Sequence, residues 1–427
     1  MIVQIKRLLI VFALVILFLP ALVYFQHKGT GDMDVWLEWT SHIDRWGPLN
    51  AYSIINTNKD YERSDYPPIS FINLWLALKV SAIINVSWMM GIKIIILAYY
   101  LATWTSLIYL AVLVRRKHFW TSLAVASGLF LGSLFFVINS EALSYLDITY
   151  APWIVLSLAL LHRQKYLMSG MFFGVAILVK WLPVIMLPAF LFYFISKPGR
   201  RFRIDRLPMF KFIGGILLIF GLLIVSFSLN HLSLFSLVES LKKAFGHGSS
   251  LSPGALNFNW IVGYIIKLMY PVTYVGVIRN NINIFQLFSA VIFLIVDFAI
   301  VKVFLKRKKE LESLLLASLM ISWSYFIWRT GVHENHLFIS VLIALCIAII
   351  NTSWVNVRQY FWLSFFGLAN LIVFFGFPVR NGSVAILSSF TVIPGVHLME
   401  ILAALHVLIY LVYLRKYLQF QPDAVKD

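Results

Sequence analysis

The sequence predicts an all-α polytopic membrane protein, and three observations predict it. Of its 427 residues 61% are hydrophobic and only 12% charged, with a mean hydropathy of +0.86. Soluble domains carry about 25% charged residues, which excludes an ordinary cytosolic enzyme; disorder is excluded because disordered chains hold too little apolar sequence. Apolar runs of spanning length recur along the chain, and basic residues collect between them. The formal net charge of +17, from 35 Lys+Arg against 18 Asp+Glu, therefore reads as cytoplasmic-loop charge, and no nucleic-acid partner is expected. Cys346 is the single cysteine and lies in an apolar run, so no internal disulfide is expected.

Lys6-Arg7 precede an apolar stretch over residues 8–25. It is long for a signal peptide and lacks small residues at a cleavage site, so an uncleaved first span is expected. Eleven further runs cover residues 92–114, 119–138, 150–161, 167–182, 183–195, 210–229, 284–305, 311–328, 337–350, 361–377 and 397–414. Basic clusters at 6–7, 115–117, 163–165, 197–206, 306–309 and 415–416 test that count. All fall on one side if residues 69–86 lie along the membrane surface, which suits a segment that opens with Pro67-Pro68 and carries Lys79 in its middle. The expected arrangement is one domain over 1–427 with about twelve transmembrane helices and both termini cytoplasmic. Its first external loop covers 26–91, with interfacial helices, and a second large one covers 230–283.

The acids are distributed differently. Asp32, Asp34, Glu38, Asp44, Asp60, Glu62 and Asp65 all fall in the first external loop, which makes it the leading site. Asp32 and Asp34 could act as a general base, as ligands of a divalent cation such as Mg or Mn, or as solvated loop charges. Asp65-Tyr66-Pro67-Pro68 closes the loop, with proline suited to a helix start. His333-Glu334-Asn335-His336 lies at the outer end of the ninth run, where ionisable residues are costly unless they work or are paired. His333 and Glu334 could bind a phosphate and a sugar hydroxyl, while His333 and His336 could share a metal or simply anchor the span. Lys180, beside Trp181-Leu182-Pro183, is either a snorkelling lysine or a point charge for a lipid phosphate, with Arg329 a further cation of that kind. Asn257 and Trp260, after the Gly/Ser/Pro-rich stretch 246–254, could line a sugar pocket, and Asp147 sits in another external turn.

Taken in order, Gly31-Asp32-Met33-Asp34, Asp65-Tyr66-Pro67-Pro68 and Val332-His333-Glu334 resemble the motifs of the polytopic GT-C glycosyltransferases. The nearest likeness is to the dolichyl-phosphate-glucose-dependent glucosyltransferases of N-glycan assembly and their bacterial polyprenyl-phosphate-sugar-dependent relatives. The resemblance covers roughly residues 29–336 and includes Ala255 to Trp260, similar to an Ala-Asn-Phe-Trp motif with insertions. It implies a GT-C-like bundle, Asp32 as general base with Asp34 a second acidic position, and His333 and Glu334 near the donor phosphate. Asn335 stands where the family has lysine. The eukaryotic Asp-His-Gly-His motif is absent, with Asp147 alone able to stand for its first residue, which implies a bacterial or archaeal acceptor.

The implied activity moves a hexose, glucose or mannose, from a polyprenyl-monophosphate sugar to a lipid-linked glycan, wall polymer or protein on the external face of the plasma membrane. A phosphate whose second ionisation lies near pH ~6 leaves as an anion, so no metal is required for departure. A lipid-linked glycan polymerase or ligase would use the same loops with a diphosphate donor. A twelve-span transporter or flippase would place its groups near the midplane of related halves, and no repeat relates residues 1–210 to 211–427.

Overall fold

The computed structural model describes residues 2–61, 63–115, 119–196, 203–245, 250–379, 382–384, 391–393 and 396–419. Glu62 of the acidic loop, the basic residues 116–117 and 197–202, and residues 246–249 of the Gly/Ser/Pro-rich stretch lie outside the described residues.

The backbone is almost wholly helical. α1 (Ile2–Tyr24) leads into α2 (Asp32–Trp46), α3 (Pro48–Thr57) and α4 (Pro68–Ile84). α5 (Trp88–Arg115), α6 (Phe119–Leu131) and α7 (Leu134–Val137) follow, and a π-helical turn, Ile138–Ala142, continues α7. Next come α8 (Ala151–His162), α9 (Tyr166–Val179), α10 (Leu187–Tyr193), α11 (Arg206–Leu229), α12 (Phe235–Phe245) and α13 (Phe258–Met269). The chain closes with α14 (Tyr274–Phe304), α15 (Leu311–Trp328), α16 (Phe338–Ile350), α17 (Trp354–Phe375) and α18 (Leu398–Leu418). Three short antiparallel hairpins, pairing Ile195 with Ile204, Phe377 with Val384 and Thr391 with His397, are the sheet structure among the described residues.

Every apolar run found in the sequence is mainly helical, so the chain is an all-α, multi-pass membrane protein. Among the described residues six helices are long and apolar enough to cross a membrane: α5, α11, α14, α15, α17 and α18. A seventh span arises if α6 and the segment Leu134–Ala142, bent by 59° at their break, count as one. Length alone therefore does not reach the expected twelve. α8, α9 and α16, of 12, 14 and 13 residues, are shorter, and each gives way to 3-10 or extended backbone at the same end of the bundle. A 3-10 turn, Leu146–Thr149, precedes α8, Lys180 leaves α9 in extended conformation, and a 3-10 turn, Glu334–Leu337, precedes α16. Such backbone is tolerated at membrane depth only where it is buried in protein or lines a cavity. The run at 183–195 is likewise split into a 3-10 turn, Leu182–Met186, and the seven-residue α10, each with a proline at its start.

The two expected loops are also largely helical. Residues 26–91 hold α2, α3, α4 and the first turn of α5, and residues 230–283 hold α12, α13 and the beginning of α14. α4 packs on α2, α3, α5 and α9 while keeping Lys79 exposed over the Trp75 ring.

Since lipid is as apolar as leucine, helix association here depends on close packing. α9 and α11 meet backbone to backbone: a Cβ at Gly170 would lie 1.9 Å from the Phe212 carbonyl oxygen, and one at Gly215 2.1 Å from that of Leu167. α16 is buried along nearly its whole length, whereas α14 exposes Leu287, Leu294 and Phe298 as a lipid-facing helix does.

The bundle has two unlike ends. α16 starts beside the Glu334 turn and finishes where Arg115 donates to the Ile349 carbonyl (3.1 Å) and to Thr352 Oγ1 (3.2 Å). Lys309 donates to the carbonyls of Phe192 (3.2 Å) and Phe304 (3.3 Å), and Arg307 to that of Tyr417 (3.3 Å). Arg115, Arg307 and Lys309 thus gather at one end. The non-helical breaks in α8, α9 and α16 gather at the other, around a cavity.

Candidate active site

That cavity measures about 470 Å³ and lies between α2, the 63–66 segment, the Tyr145–Asp147 turn, Lys180 and the His333–His336 turn. α2 supplies one wall by simple periodicity. Gly31 caps it, Asp32 occupies its first turn where the helix N-terminus favours an anion, and Gly47 at φ 78° ends it. Asp32, Val35, Trp36 and Trp39 then follow one another on the cavity face at helical spacing. Thr30 N–H donates to the Leu143 carbonyl (3.1 Å) and the His27 ring meets that of Ala142 (2.7 Å), which fixes α2 to the π-helical turn.

Asp32 is half-buried, and its carboxyl is raised to about 6, first by burial and then by the nearby Asp65 and Asp147, against the pull of Lys180. Opposite it, Lys180 Nζ lies 2.7 Å from Asp147 Oδ1 and 5.3 Å from the centre of the Tyr66 ring, with both charged groups buried. Asp147 Oδ2 accepts from Asn335 Nδ2 at 3.1 Å. Lys180 is therefore no snorkelling lysine. One carboxylate holds it at the cavity wall and ties it to the His333–His336 turn.

Glu334 is buried and accepts a short hydrogen bond from the Tyr145 hydroxyl; burial raises its carboxyl to about 7. Its turn is held by an antiparallel bridge between His333 and Gly254. Gly254 has φ +88°, and a Cβ there would lie 2.7 Å from Glu334 Oε2, so both backbone and space select glycine. The His333 and His336 rings meet edge to face at 5.6 Å, and both residues line the cavity.

Of the residues singled out in the sequence, Asp32, Asp65, Tyr66, Lys180, His333 and Glu334 line this cavity, and Asp147 lies directly behind Lys180. Four do not line it. Asp34 is exposed and pairs with Lys28 at 3.6 Å, because two residues of helix turn its carboxylate away from that of Asp32. Asp34 does not share the cavity with Asp32, and no group of three or more His, Cys, Asp or Glu that could hold a metal occurs among the described residues. Arg329 caps α15 outside the lining, near Tyr325. Asn257 is a structural cap: its side chain accepts from Trp260 N–H (3.1 Å) and donates to the Phe326 carbonyl (2.9 Å). Trp260 lines a different cavity.

Trp36, Trp39, Tyr145, Arg63 and Lys243, all in the lining, had no site role in the sequence, and Asn335, also in the lining, stood there only within the His333–His336 motif, in place of the family's lysine. Helical spacing from Asp32 would have found the two tryptophans. Arg63 and Lys243 had no local signal; Arg63 is fixed by an ion pair with Glu239 of α12, 176 residues away.

No protein-family model and no curated protein matches the chain.

Proposed function

We propose that the chain is an integral-membrane inverting glycosyltransferase of GT-C type that moves a hexose from a polyprenyl-monophosphate sugar to a glycan or protein acceptor. One observation carries this reading: Asp32, Asp65-Tyr66, Lys180 and His333-Glu334, from four distant segments, line one cavity. In the proposed step Asp32 accepts the proton of an acceptor hydroxyl as that oxygen attacks the anomeric carbon from the face opposite the phosphate. The bond from that carbon to the phosphate oxygen breaks, and the phosphate leaves as an anion toward Lys180 and His333. A carboxyl raised to about 6 suits a base working near neutral pH. Asp147 holds Lys180 where that charge develops. A lipid monophosphate leaves as an anion against Lys180 and His333, so the step requires no metal.

The twelve-span arrangement belongs to the same proposal. Apolar segments run back and forth between the cavity end and the basic end, α8 downward from Asp147 to His162 and α9 back from Lys165 to Lys180. Arg115, Arg163, Lys309 and Arg415 all lie at segment ends remote from the cavity, which supports cytoplasmic termini and an external cavity; a bacterial or archaeal plasma membrane rests on the resemblance alone. α2, α3 and α4 form the external layer over it.

A panel of polyprenyl-phosphate sugars offered to the purified protein tests the reading. Consumption of one donor by the wild type and not by Asp32→Asn is expected. Consumption of none, or turnover unchanged in that variant, overturns it.

A further inference from the structure

A second cavity of about 530 Å³ opens at the same end of the bundle, between α13 and the starts of α14 and α18. Its walls combine the rings of Trp260, Tyr264 and Tyr274 with two cations, Lys267 and Arg279. Among the described residues neither cation is in an ion pair; Lys267 lies 5.9 Å from the centre of the Tyr274 ring. Glu400 is the single acid in the lining, and its Oε2 is turned to the His397 N–H at 3.0 Å. Trp260 presents a buried indole Nε1–H with no acceptor among the described residues, a costly state unless a bound group supplies one. Directly beside the cavity Ile265, Leu268, Met269 and Val275 are exposed, as residues facing lipid are. Cations and aromatic rings above an apolar rim are the composition of a pocket at the membrane surface.

We infer that this cavity holds the phosphate-bearing head group of an anionic membrane lipid. The phosphate lies between Lys267 and Arg279, a head-group oxygen accepts from Trp260 Nε1, and the acyl chains follow the exposed side chains of α13 and α14. The site also adjoins the first cavity. The Ser250–Asn257 segment lines the second cavity with Ser250, Leu251 and Ser252, while its Gly254 bridges to His333 against Glu334. Occupancy of one cavity therefore bears on the wall of the other. The inference requires only membrane embedding and stands apart from the transfer reaction.

The test is native mass spectrometry of the full chain in detergent, with phosphatidylglycerol and phosphatidylcholine as probes and glycerol 3-phosphate as competitor. Phosphatidylglycerol is expected to be retained over phosphatidylcholine by about tenfold or more, with the preference lost in the Lys267→Ala/Arg279→Ala double variant. Both are surface positions, so the fold is expected to survive, and Trp260→Phe reduces retention several-fold by removing the indole donor alone. Glycerol 3-phosphate at high concentration displaces the lipid. Equal retention of the two lipids, or an undiminished preference in the double variant, overturns the inference. Binding of glycerol 3-phosphate without retention of phosphatidylglycerol overturns the lipid source.

Discussion

Two ion pairs, one at the start of α2 and one at the cavity wall, have the same chemistry and different consequences. Lys28 and Asp34 are 3.6 Å apart with side chains 73% and 63% exposed; Lys180 and Asp147 are 2.7 Å apart with side chains 10% and 0% exposed. Water screens the first pair and replaces it when it breaks, whereas nothing replaces a partner in the second. Position relative to the cavity, and not residue type, separates a solvated charge from a buried one.

The largest expected effect comes from breaking the buried pair. Lys180→Ala leaves Asp147 uncompensated and is expected to cost about 3–5 kcal/mol, read as a fall in thermal midpoint in detergent. Lys180→Met combined with Asp147→Leu should recover most of that stability while leaving sugar transfer lost. Such a recovery separates the pair's structural role from its role toward phosphate, and a double variant as unstable as Lys180→Ala would erase the distinction.

Asp32→Asn is next. Transfer should fall by about 10²-fold or more, the ordinary contribution of a general base. Stability moves the other way. The folded carboxyl is raised from 3.8 to about 6, so the folded state holds its proton more tightly than the unfolded chain does. Its contribution is full below pH 3.8 and is lost as pH rises to about 6. Asp32→Asn should therefore show a higher midpoint than wild type at pH 7 and lack the decline between those values. In the wild type, transfer should rise with pH through about 6 as the carboxylate forms, and a flat profile there would remove Asp32 from the base role.

A smaller effect is expected of Gly254→Ala, which meets both a φ of +88° and Glu334 Oε2. A loss of about 1–3 kcal/mol should accompany reduced transfer, because Glu334 must move. The smallest is Asp34→Asn, at about 0–1 kcal/mol with transfer retained. Loss of transfer comparable with Asp32→Asn would show that exposure does not divide these two carboxylates.

The helices were legible in the sequence because each apolar run is a continuous stretch bounded by charged or turn-forming residues. Residues 311–328 coincide with α15, and 337–350 with α16 to within one residue. α12 and α13 were not expected as helices, and the interfacial helices expected in the first loop had bounds only over 69–86, since short amphipathic segments in a membrane protein lack the continuous hydropathy that marks a span. At the site, the motif residues Asp32, Asp65 and His333-Glu334 were found from local order. Asp147 was named without its partner, because no spacing rule relates a residue in one external turn to Lys180 some thirty positions later at the end of another helix.

Composition and hydropathy by themselves determined an all-α, multi-pass membrane protein, because apolar surface of this extent has no other stable solvent. They also indicated the loop that carries the acids. Only the tertiary structure decided which of those acids share a cavity. Helix phase turns Asp32 inward and Asp34 outward, and close packing of α9 with α11 helps set the end of α9, and hence Lys180, opposite Asp147. A carboxylate's role depends on what stands within a few ångströms of it, and in this chain those neighbours come from separate segments: Asp147 meets Lys180, 33 residues away, and Asn335, 188 residues away.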